Sequence, residues 1–209
     1  MKKMIFNLSL SIFTIMLTFS FTSGQAVFSG PGPTLVVRAG STINNSFVPP
    51  DPDIFSGLRA SSAIINVTYN GAWPGQAMAA FEYAVDIWEH SLTSAVPIEI
   101  EANWINLGSP VILGKARAFN QARDYGSSDG RYKPGTFYAV ALANKLNGSD
   151  LMLGQVDIDA RFNSAFTNWY FGTDANAPSS QIDFVSVVLH EIAHGLGFYS
   201  SAQDPFGTG

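Results

Sequence analysis

Apolar and polar residues alternate in three stretches of this chain, and elsewhere apolar residues recur at helical spacing. Ile65, Val67 and Tyr69 alternate with Asn66 and Thr68, the period of two that a half-buried strand needs. The same period returns after Pro97, where Ile98, Ile100, Ala102 and Trp104 alternate with Glu99, Glu101 and Asn103. Val156, Ile158, Ala160 and Phe162 line one face of a strand over 155–162, and 111–119 reads as a further strand in which Gly114 offers a bulge. Helical spacing places Ala77, Phe81, Ala84, Val85, Trp88 and Leu92 on one face over 76–92, after a turn between Gly71 and Gly75. Residues 137–145 fit either period, and Asn147-Gly148 just beyond them favours a helix. The polar 125–135 and the aromatic 163–178 read as loops. A last apolar run, 182–189, opens a helix predicted over 181–196, with Ser180 as N-cap, Asp183 three residues on, and Gly195 and Gly197 at its end. This order of elements predicts an α+β fold, a mixed twisted sheet backed by helices.

The beginning of the chain follows no such period. Lys2 and Lys3 precede an apolar run from Met4 to Phe21, and small residues follow at Ser23, Gly24 and Ala26, so 1–24 reads as an export signal. The run is long enough to approach a bilayer span, which leaves an uncleaved anchor as the alternative. Residues 25–60 are rich in Gly, Pro, Ser and Asn and read as a linker, pro-segment or N-terminal arm, with one domain over 61–209. Losing the two lysines with the signal takes the net charge from −5 to −7. No basic cluster survives, which argues against nucleic acid or an anionic membrane as partner. The chain has no cysteine, so neither a lipid-modified cysteine nor a disulfide contributes. The expectation is a monomeric protein outside the cytoplasm, in the periplasm or the extracellular space.

Chemistry concentrates in the last predicted helix. His190-Glu191-Ile192-Ala193-His194 fits H-E-x-x-H, and it uses two of the three histidines of the chain. Residues four apart share a helix face, so His190 and His194 can aim two imidazoles at one metal ion. Glu191 stands about 100° further round, where a carboxylate reaches a metal-bound water without ligating the metal. Zinc suits neutral imidazole and keeps a position open for water. This pattern predicts His190 and His194 as metal ligands and Glu191 as general base.

On these residues, and on Gly197, the chain resembles metzincin-like H-E-x-x-H zinc metallopeptidases. It looks closest to exported bacterial peptidases that often carry a protease-associated domain. The sequence Asp157-Ile158-Asp159-Ala160-Arg161-Phe162-Asn163-Ser164, followed by Asn168-Trp169-Tyr170, is similar to the strand and loop before the metal helix of such enzymes. The resemblance implies a secreted zinc endopeptidase in which metal-activated water attacks a peptide bond, with a protein or peptide substrate. It also implies a C-terminal subdomain beyond this sequence. Ser200 stands where the family carries its third ligand. Asp204 is the candidate replacement within the chain, ahead of His90, which the helical step turns to solvent. The competing reading is a catalytically inactive metallopeptidase-like binding or surface protein. Asp157 and Asp159 are candidate calcium ligands, against the simpler reading of a solvated polar face. If the 155–162 strand forms the rim of the cleft, it would pair with an extended substrate.

Overall fold

The computed structural model describes residues 26–40, 62–126 and 132–199. The export signal, Ser200 and Asp204 lie outside the described residues. In chain order the elements are β1 (Val27–Phe28), β2 (Leu35–Arg38), β3 (Ile65–Gly71), α1 (Gly75–Ser91), β4 (Ile98–Ile105), β5 (Ile112–Ala118), β6 (Gln121–Arg123), β7 (Tyr138–Ala139), α2 (Val140–Asn147), β8 (Ile158–Asn163), β9 (Trp169–Tyr170), β10 (Ile182–Asp183) and α3 (Phe184–Leu196). The architecture is α+β with mixed, open sheets.

The main sheet has the order β2-β5-β8-β4-β3. β3, β4 and β8 run parallel, while β5 is antiparallel to β8 and β2 is antiparallel to β5. The alternation explains why these segments are strands. Ile98, Ile100, Ala102, Ile158, Ala160 and Phe162 are buried towards α1 and α3, while Glu99, Glu101 and Asn103 take the opposite face. Phe81, Phe162 and Phe184 are completely buried between helices and sheet, each contributing roughly 2–3 kcal/mol by the area it removes from water. Phe184, the first residue of α3, meets Trp73, Trp104, Phe162, Trp169 and Phe171 at ring-centroid distances of 5.0–6.4 Å. This aromatic cluster pins the start of α3 to the sheet.

Two expectations change. The 155–162 segment is no rim, because β8 lies inside the sheet, bonded to β4 on one side and β5 on the other. Ser180 is not the cap of α3; Asp183 is, with its carboxylate accepting the backbone N–H of Ser186 at 2.9 Å. Within the Gly- and Pro-rich 25–60 stretch, β2 forms the edge of the main sheet, and β1 pairs with β6 in a small sheet that also holds β7.

Candidate functional site

α3 crosses the sheet beneath β5 and β8, and two glycines fix how closely it lies. A Cβ at Gly195 would strike the side chain of Ile158 on β8. A Cβ at Gly114 on β5 would sit 2.9 Å from Oε1 of Glu191 and 3.1 Å from its Cγ. Gly114 is thus the recess that receives the Glu191 side chain, and it also faces the point where the β2–β5 register shifts between Val37 and Arg38. The helix ends at Gly197, whose φ of 108° is left-handed and whose N–H bonds back to the helix.

Glu191 is completely buried, and its two carboxylate oxygens have no hydrogen-bond partner among the described residues. Burial pushes its carboxyl up to about 8, against the nearby backbone N–H groups of Val37 and Ala116, which pull the other way. At neutral pH the neutral acid is therefore the dominant form.

His190 and His194 lie on the accessible side of the helix, their rings 4.4 Å apart and nearly perpendicular. Their Nε2 atoms are 2.8 Å apart, and Nδ1 of His194 is 2.9 Å from the carbonyl oxygen of Phe198. A carbonyl only accepts, so Nδ1 of His194 carries a proton and donates it. In the neutral ring Nε2 of His194 is then the acceptor, and Nε2 of His190 is the donor. Partial desolvation, and then the neighbouring imidazole, hold His190 below the ordinary histidine value.

This arrangement overturns the zinc reading. Among the described residues, no group of three or more His, Cys, Asp or Glu side chains is placed to hold a metal ion. Two imidazoles alone do not complete a zinc site, which takes three protein ligands beside its open position. His90 is committed to its own helix, its Nδ1 lying 2.8 Å from the Asp86 carbonyl. Calcium fails for a related reason. Asp157 accepts the Glu99 N–H and the Asn144 amide, each at 2.9 Å. Asp159 accepts Arg117 and Arg161 at 2.8–3.2 Å, and both carboxylates are buried rather than solvated. The metzincin-like assignment, the zinc endopeptidase it implied, the inactive metallopeptidase-like alternative, and both zinc and calcium as cofactors therefore do not stand.

Comparison with known proteins adds little. A family model described as SPBPB7E8-like matches residues 144–208, well under half of the 209-residue chain, and that description states no activity. No curated protein and no solved structure matches.

The structure keeps His190, Glu191 and His194 on one helix but turns them to opposite environments, the histidines to solvent and the glutamate into the sheet. Sequence reasoning missed Gly114 as the recess for Glu191. A glycine inside a strand signals close approach of another group as well as a bulge, and that second meaning applies here.

Proposed function

We propose that this chain is a polypeptide-binding protein of the extracytoplasmic space that takes up an extended segment along β5, above α3. Glu191 lies beneath the bound segment, and His190 and His194 stand at the accessible end of the same helix. The observation that carries this reading is β2. The chain's own Leu35–Arg38 lies antiparallel on β5, with Leu35 opposite Ala116, Val36 opposite Lys115 and Val37 opposite Gly114. An edge that takes one extended segment offers backbone N–H and C=O groups to another, since those groups are common to every sequence. Two features make β2 an exchangeable occupant. It is four residues long, and Val36 and Arg38 on its outer face are exposed, so only Leu35 and Val37 tie it to the core side. The basic n-region and apolar run at the start of the chain support a location beyond the cytoplasm.

The test uses the full chain and a labelled peptide with the sequence of residues 32–40. Val36→Pro should loosen β2, because proline removes a donor and restricts the strand backbone. The peptide should then bind the variant at least tenfold more tightly than the parent, and amide resonances of Ile112–Ala118 should shift on binding. Binding that leaves those resonances unmoved, or equal affinity for the two proteins, would overturn the reading.

A further inference from the structure

The face of the sheet turned away from the helices carries an ordered set of charges. Lys115 and Arg117 alternate along β5, Asp159 and Arg161 along β8, and Glu101 and Asn103 along β4. Register sets Lys115 beside Arg161 and Arg117 beside Asp159, with Glu101 next to Asp159 on the far side. Thr34, Lys115, Arg117, Asp159 and Arg161 line a cleft of about 170 Å³ next to β2. It holds three cations and one carboxylate, in a chain whose net charge is −5. Arg117 and Arg161 share Asp159, while Lys115 makes no ion pair among the described residues. Positive charge is thus in excess at the edge where an added strand lies, and negative charge sits further inside.

The residue on β2 opposite Lys115 is Val36, and Thr34 reaches the cleft from the residue before β2. Neither carries charge, so the arm leaves the excess unanswered. From this mismatch we infer that the β5 edge selects segments with acidic residues two apart, an Asp/Glu-x-Asp/Glu pattern, set opposite Lys115 and Arg117. The period of two follows from the strand, in which alternate side chains face the same side. Opposite charges directly across a strand pair attract, and each such pair is worth a severalfold change in an equilibrium. Arg38, two residues beyond Val36 on the same face of the arm, adds a further cation rather than an acidic partner. The inference rests on strand addition at β5, and it names which strands are preferred.

Two measurements separate it from that reading. In the full chain, Thr34→Glu with Val36→Glu should slow hydrogen exchange of the β2 amides by roughly fivefold at low salt, and Thr34→Lys with Val36→Lys should speed it. Lys115→Glu should reverse that order. The contrast should shrink in 1 M salt. Equal exchange in the acidic and basic variants would overturn the charge preference, whatever binds in solution. The second measurement adds free nine-residue peptides to the Val36→Pro protein, identical except for Glu or Lys at the two alternate positions. The Glu peptide should bind several times more tightly. If the arm responds to charge but neither peptide binds, strand addition from solution fails while the preference of the edge stands.

Discussion

Asp157 and Glu191 are both buried carboxyl groups, yet the fold supports only one of them. Asp157 precedes β8 and accepts one backbone N–H from β4 and one side-chain amide from α2, so it ties three elements together. Glu191 is buried more completely and accepts no hydrogen bond of good geometry among the described residues. Burial raises both carboxyls, Asp157 to about 6 and Glu191 to about 8. For Asp157 the cost of burial is offset by two bonds that other groups would otherwise lack. For Glu191 the recess over Gly114 admits the carboxyl, and the nearby backbone N–H groups of Val37 and Ala116 offset the cost of burial only in part. A buried polar group with so little support costs stability that the packing around it must offset.

The widest separation should come from removing each group. Asp157→Ala orphans two buried donors and should cost about 3 kcal/mol in urea unfolding. Glu191→Met, similar in size and without polar atoms to bury, should be neutral or stabilising. Equal losses at the two positions would erase the distinction. Next in size is the recess itself. Gly114→Ala should cost about 2 kcal/mol by overpacking against Glu191. Most of that loss should vanish in the double variant Gly114→Ala/Glu191→Ala, a coupling that a thermodynamic cycle reads directly.

The effect most different in kind is on pH dependence. A carboxyl raised in the folded state holds a proton that the unfolded chain releases. Stability should therefore be greatest near pH 4 and fall as pH rises, by up to about 1.4 kcal/mol per pH unit for each group. The contribution of Asp157 is lost between its ordinary value of 3.8 and about 6. That of Glu191 is lost from 4.5 up to about 8. Asp157→Asn should flatten the lower limb of the curve, and Glu191→Gln should flatten the part above pH 6. A parent curve that rises between pH 7 and 8, above the range in which the lowered His190 titrates, would contradict the Glu191 assignment.

How much of this could be read beforehand differs by element. α1, β3, β4 and α3 follow from local periodicity, because each buries one face and exposes or pairs the other. α2 follows less directly, through Gly148, whose φ of 77° ends it. β2 was hidden. Leu35-Val36-Val37-Arg38 is too short to show a period, and it becomes a strand only by meeting β5 far along the chain. The interior place of β8 was hidden too, since alternation shows which face is buried and not which strands are neighbours. Asp159 illustrates the difficulty, because a polar position on an outer face became buried once Arg117 and Arg161 closed over it. At the site, spacing placed the two histidines together and Glu191 aside from them. It could not show that the imidazoles bond to each other, a matter of ångströms set by the turn at Phe198.

That turn gives the histidine pair a direction. With the Phe198 carbonyl fixing the proton on Nδ1 of His194, hydrogen bonding runs one way, from Nε2 of His190 through His194 to the backbone. Nδ1 of His190 is then a lone pair rather than a proton, so the neutral pair begins in an acceptor and ends in a donor bound to the backbone.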